Sequence, residues 1–197
     1  MVKFLRLYYN YFLVKLGYRK VLPAYFINRI QVTDCGEELV QYQDFLVRKR
    51  VAVMLDNAQK ALPPNFDLKI VSGFRDDSEQ HVLQQKFSDS KKVAAESGHS
   101  TGGAVDVTLH YCGKEVDCGG RYLSFTPSTP TWSKELNSQQ QHNRFILYNA
   151  MTQSGFINYP SEWWHFCYGD KMYAAYKFEK KAIYGKATIC EICNVDG

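Results

Sequence analysis

Two short stretches of this chain carry residues that chemistry requires more than folding does, and they lie far apart. One is Ser97-Gly98-His99-Ser100-Thr101-Gly102-Gly103-Ala104-Val105-Asp106; the other is Glu162-Trp163-Trp164-His165. A fold that uses both must bring them together. Jointly they offer two imidazoles, one carboxylate suited to ligation and one suited to proton transfer. A catalytic zinc site needs three protein ligands, an open position for water and a nearby proton acceptor. This set of side chains meets that need.

The local pattern says how each group is presented. Ala104 to Tyr111 alternates as a strand, with Asp106 and Thr108 on one face and Val105, Val107 and Leu109 on the other. Gly102-Gly103 permits the tight turn that folds His99 back towards Asp106. Glu162 and His165 would point to opposite faces of a regular strand, so Glu162 is expected in the Pro160-Ser161 turn and His165 on the strand. His99, Asp106 and His165 are then expected as ligands and Glu162 as general base. Trp163 and Trp164 are expected to make the pocket apolar, which raises the proton affinity of a carboxylate. Arg75, ending a strand, is expected to stabilise the oxyanion. His81, His110 and His142 read as structural or solvated. His110 shares the face of Asp106 but lies about 13 Å further along, too far for one metal.

The remaining elements place these motifs in an α+β fold, with a mainly antiparallel central sheet flanked by helices. Helical spacing predicts a helix from Glu37 to Ala61, stopped by Pro63-Pro64-Asn65. Asp67 to Arg75 reads as a strand running into a turn. Asp76-Asp77-Ser78-Glu79 supplies cap and first-turn acids for a helix through Phe87. Lys114 to Cys118 is expected to return beside the Ala104 strand. Ser124 to Ser133 is a loop, Ser138 to Ser154 a helix ended by Gly155, and Glu162 to Tyr168 a core strand. The expected division is an amphipathic segment over 1–27, a domain over 28–180 and a tail over 181–197.

With 197 residues, 45% of them apolar and 15% aromatic, the chain suits one packed domain and is not disordered. The net charge of +4 is spread along the length, which argues against a nucleic-acid partner. No apolar run is long enough for stable membrane insertion. The opening Met1 to Lys15 is broken by Arg6 and Asn10, and no small-residue cleavage site follows. These features point to the cytoplasm, with a periplasmic or exported location as the alternative. Cys112 and Cys118 flank a plausible turn, a spacing that would allow them to face each other across a hairpin. Cys190-Glu191-Ile192-Cys193 reads as ordinary reduced thiols ahead of a zinc knuckle. The sequence leaves oligomeric state open.

The pattern Ser97-x-His99-x-x-Gly102-x-Ala104-x-Asp106, followed by Glu162-Trp163-Trp164-His165, resembles the zinc D-alanyl-D-alanine dipeptidase family. That family belongs to the D,D-peptidase superfamily, which shares its fold with the Hedgehog signalling domain. Ser72-Gly73-Phe74-Arg75, Asn28-Arg29-Ile30 and the stretch from Gln141 through Ser154-Gly155-Phe156 to Phe166 are similar to further family segments. The resemblance covers about residues 28 to 170. It implies one zinc ion per chain on His99, Asp106 and His165, with Glu162 as base and Arg75 as oxyanion stabiliser. It also implies Ser97, Tyr122, Trp163 and Trp164 around a small D-amino-acid peptide substrate from cell-wall chemistry. One position departs. After a segment like Gly119-Gly120-Arg121-Tyr122, the family carries an aspartate that holds the substrate's free amino group, and here Leu123 stands there. The departure motivates a D,D-carboxypeptidase acting on peptidoglycan stem peptides as the alternative. A zinc-stabilised binding module without catalysis is a third reading, which the presence of Glu162 disfavours.

Overall fold

The structure, a computed structural model, describes residues 21–22, 24–87 and 97–189. Most of the segment expected to be amphipathic (1–20 and 23) and the Cys190–Cys193 pair lie outside the described residues.

The chain opens with α1 (Ala24–Ile27) and β1 (Gln31–Val32), then β2 (Leu39–Tyr42) and β3 (Phe45–Arg48), which pair antiparallel as a hairpin. Here the structure corrects the sequence reading, because the helix predicted from Glu37 begins only at α2 (Lys49–Ala61). The run from Leu39 to Val47 is rich in β-branched and aromatic residues, which suit a pleated surface. Gln43, in the turn with φ 49, docks the hairpin onto its neighbour. Its amide donates to Leu68 O at 3.0 Å and accepts from Ile70 N at 3.1 Å, as a strand would. From Lys49 onwards helical spacing prevails, and Val51, Met54, Leu55 and Ala58 are buried.

β4 (Phe66–Ser72) follows, then α3 (Asp77–Lys86) and a 3-10 turn (Gly98–Thr101). β5 (Ala104–Tyr111), β6 (Lys114–Glu115), α4 (Ser138–Gln153), β7 (Ile157–Asn158), β8 (His165–Cys167), α5 (Lys171–Lys177) and β9 (Lys181–Ala182) complete the order. Both predicted helix starts carry reciprocal capping boxes, Asp76 with Glu79 and Asn137 with Gln140. Among the described residues the central sheet runs β4-β5-β8-β7, antiparallel throughout, with β6 beside β5. A small parallel pair joins β1 to β9. The fold is therefore α+β with a mainly antiparallel sheet.

Helices α2 and α4 pack together over one face of this sheet. Leu55, Leu147 and Met151 meet Leu68, Ile70, Val105, Val107, Leu109 and Phe166 in the core. The register puts Leu68 opposite Leu109, Ile70 opposite Val107, and Val105 opposite Phe166. Because side chains alternate across a strand, the same register turns Asp106 to the other face, beside Ser72 on β4 and His165 on β8.

Two further features stand beside the sequence reading. The described part of the expected tail is packed into the domain: β9 pairs with β1, Tyr184 is buried, and Ala187 N donates to Ser100 O at 2.8 Å. Cys112 and Cys118 form no disulfide. Cys112 sits exposed in the turn at φ 49, whereas Cys118 is buried in the core, and both are free. Burial pushes the Cys118 thiol up to about 12, which leaves it unreactive. No helix among the described residues is long and apolar enough to cross a membrane.

Candidate metal centre and active site

His99 arrives on the 3-10 turn. Ser97 caps this turn by accepting from His99 N at 3.2 Å. Gly102 ends it in the left-handed region at φ 69, where a Cβ would lie 2.4 Å from Leu39 Cδ2. Gly98 is needed for closeness, since a Cβ there would sit 2.3 Å from Asp170 Oδ2. The His99 Nδ1–H donates to Gly73 O at 2.7 Å, which fixes the ring tautomer and leaves Nε2 with its lone pair facing inward. Asp106 comes from the middle of the sheet on β5, and His165 opens β8 directly opposite it.

The three candidate ligating atoms form a small triangle. His99 Nε2 is 3.3 Å from Asp106 Oδ1 and 3.2 Å from His165 Nδ1, and His165 Nδ1 is 2.9 Å from Asp106 Oδ1. Ligands about 2.0–2.1 Å from a tetrahedral zinc stand about 3.3 Å apart. All three residues are buried, and the cluster can hold a metal ion. A neutral imidazole pair with one carboxylate suits zinc chemically, and the spacing matches, so the donor set fits the ion that the sequence pattern calls for.

Electrostatics tie the three groups into one unit. Burial alone would raise the pKa of Asp106, but the facing His99 and His165 outweigh it and hold the carboxylate well below its ordinary value. Burial draws His99 down, opposed by Asp106. Burial also draws on His165, yet its hydrogen bond to Asp106 and the charges of Asp106, Glu162 and Asp170 carry it upward. A cation bound at the triangle would displace the shared proton, since ligating histidines are neutral.

Glu162 lies in the turn before β8, as the sequence reading expects. Burial pushes its carboxyl up to about 7, with His165 opposing and Asp106 reinforcing the shift. The indole of Trp164 lies near this carboxylate and favours its charged form, although Trp164 Nε1 closes no full hydrogen bond. Arg75 follows β4 and sits beside the triangle, with Nη2 3.6 Å from Asp106 Oδ2. Gln80 on α3 accepts from Arg75 Nη1 at 3.1 Å and so orients the guanidinium.

These groups share a cavity of about 400 Å³ that holds Arg75, Ser97, His99, Asp106, Glu162 and His165 in its lining. Leu22, Ile27, Leu83, Leu123, Phe125 and Met172 supply much of the apolar wall, with Gln80 and Tyr159 as polar members. Ser97 thus both caps the turn and faces the cavity. Trp163 and Trp164 differ from expectation, because they do not line the cavity. They are buried in the core, stacked edge-on to each other, with Tyr122 and Phe125 against Trp164. The turn that presents Glu162 to the cavity swings both indoles inward. Tyr122 is likewise outside the lining, with its hydroxyl directed towards Ser72 and Asp106.

Known proteins share extended sequence similarity with this chain. Residues 75–183, which contain Arg75, His99, Asp106, Glu162 and His165, match the family model described as D-ala-D-ala dipeptidase. The chain belongs to the D-Ala-D-Ala dipeptidase family. It is 33% identical over 168 residues to the D-alanyl-D-alanine dipeptidase of Enterococcus faecium, covering 78% of this chain and 81% of that protein. The Escherichia coli strain K12 dipeptidase is 28% identical over 136 residues, covering 66% and 70%. The Synechocystis dipeptidase is 37% identical over 89 residues, and that match spans 36% of the relative's length. Within the family frame, sequence reasoning missed the wall from α1 and α3 and a buried Arg144 on α4. Arg144 had left a signal, since it falls in line with Leu147 and Met151 on the buried helical face.

Proposed function

We propose that this protein hydrolyses D-alanyl-D-alanine in a zinc-dependent reaction, with His99, Asp106 and His165 holding the metal. The observation that carries the reading is the triangle of ligating atoms at 2.9–3.3 Å opening on the cavity that Glu162 and Arg75 share. Zinc bound there would supply an acidified water and a Lewis acid for the peptide carbonyl. Glu162 takes the proton from the attacking water and returns it to the leaving amine. A carboxyl raised towards neutrality by burial suits both halves of that shuttle. Arg75, oriented by Gln80, offers its charge to the oxyanion as the carbonyl becomes tetrahedral. The buried ring contacts of Trp163 and Trp164 fix the turn on which Glu162 stands.

One observation favours the second reading, D,D-carboxypeptidase activity on stem peptides. Leu123 lines the cavity, and among the described residues the carboxylates of the lining are Asp106 and Glu162, both engaged in the reaction. Asp117 is turned outward, accepting from Gln140 Nε2 and Gly119 N. A substrate ammonium would therefore lack a counter-charge, which disfavours its burial. The test is mass spectrometry of the products formed from D-alanyl-D-alanine and from a stem pentapeptide ending in it. Faster loss of the dipeptide upholds the first reading, and faster trimming of the pentapeptide upholds the second. Cleavage of neither contradicts both.

A further inference from the structure

Arg144 is the least expected residue in the core. It lies on α4 with 1% of its surface exposed, and no carboxylate among the described residues forms an ion pair with it. A buried charge without a counter-ion is costly unless its hydrogen bonds are filled. Here they are. Nε donates to Cys118 O at 2.6 Å, Nη1 to Pro130 O at 2.7 Å and Thr131 O at 3.3 Å, and Nη2 to Ser128 O at 2.8 Å and Gly119 O at 3.5 Å. Those are all five donors of a guanidinium, spent on carbonyls of a single loop. The carbon at the centre of the fork stands 5.3 Å from the centroid of Trp163, over its ring face.

We propose that Arg144 is the positioning residue that shapes the substrate cavity, by gathering the carbonyls of the 118–131 loop around one guanidinium. This rests on the reading that the cavity receives the peptide. The loop has little regular structure to hold it, and it carries Leu123 and Phe125 into the cavity wall. Both stand in the left-handed region, at φ 59 and φ 30, a conformation that persists only where the surroundings impose it. Arg144 grips the loop at both ends, on either side of these two residues. The turn bearing Glu162 has a tie of its own, Asn158 Nδ2 donating to Glu162 O at 3.1 Å and to His165 O at 3.0 Å. It also meets one end of the loop, where Trp163 N donates to Thr129 O at 3.2 Å, Thr131 N to Pro160 O at 3.0 Å and Thr131 Oγ1 to Asn158 Oδ1 at 2.6 Å. Those contacts lie at residues 129–131, past the wall residues Leu123 and Phe125, and the reacting groups keep the β5–β8 ladder and Asn158, so Arg144 bears first on the wall.

Lysine keeps the charge but has three donors and no planar fork, so Arg144→Lys isolates the clamp from the charge. The variant is compared with the unaltered protein in steady-state kinetics on whichever peptide the latter cleaves, in zinc content, and in amide hydrogen exchange. Arg144→Gln takes its place if the lysine variant does not fold. The expected result is KM raised about tenfold with kcat changed by less than about threefold, and zinc content unchanged. Exchange over 118–131 should quicken about tenfold or more while β5 and β8 keep their protection. An unchanged KM, or kcat and zinc content falling together at constant KM, overturns the proposal. If the unaltered protein cleaves neither peptide, the functional reading fails. Exchange over 118–131 then decides the clamp alone, upheld by selective loss of protection and overturned by its absence.

Discussion

The triangle of His99, Asp106 and His165 and the cavity wall stand side by side, yet they are built by different means. The triangle is held by the β5–β8 ladder, where Asp106 pairs with His165, and by a 3-10 turn capped at both ends. The wall comes from α1, α3, α5 and the 118–131 loop, and two of the residues it presents, Leu123 and Phe125, have left-handed backbones. A strand register either places a side chain or misplaces the whole face, so the chemistry is fixed in a discrete way. A loop wall can change its contents without disturbing that register. The comparison teaches that the groups proposed for the chemistry and the wall proposed to meet the substrate are set by different structural devices.

The most severe way to break the chemical half is Glu162→Gln. It should lower kcat by about 10²–10⁴-fold while zinc stays bound, the range that general-base catalysis supplies. Metal analysis beside turnover checks this, and retained turnover would remove Glu162 from the mechanism. Support beneath the sheet comes next. Leu147→Ala empties a fully buried position and should cost about 2–5 kcal/mol in denaturant unfolding.

Leu123→Asp sharpens the other half. Aspartate tolerates the left-handed backbone at φ 59 better than leucine does, and it would bring a counter-charge to an ammonium. Turnover of the free dipeptide relative to the pentapeptide should rise about tenfold, a gain of roughly 1.4 kcal/mol in discrimination. An unchanged ratio would show that position 123 does not read the amino group. The smallest mutational effect expected is at α3, where Asp76→Ala removes a capping box and should cost about 1 kcal/mol, read as a lowered Tm.

The pH profile joins both halves. Burial raises Glu162 from 4.5 to about 7, and a bound cation would draw it back down. Protonated Glu162 accepts nothing, so kcat/KM should fall as pH drops, with its acid midpoint between those two values. A flat profile down to pH 4 would assign the base elsewhere.

The triangle was legible in the sequence because every part of it has a local signature. The glycines after His99, the alternation around Asp106 and the Pro160-Ser161 turn before Glu162 each act within a few residues. The helix starts at Asp76 and Asn137 were legible for the same reason. The β2–β3 hairpin was not, since helical spacing at Leu39–Val47 yields to the docking of Gln43 on β4, a tertiary contact. Trp163 and Trp164 were expected to wall the cavity, but which side of a turn an indole takes depends on what packs behind it. The wall from α1 and α3 has no motif at all, because its residues meet only once the chain has folded.

The account stands most directly on the metal. The decisive measurement follows D-alanine release from D-alanyl-D-alanine by the metal-stripped protein as zinc is titrated back. The account expects no release without zinc and full activity at one equivalent per chain. Full hydrolysis by the stripped protein, or one tightly bound zinc with no hydrolysis, would contradict it.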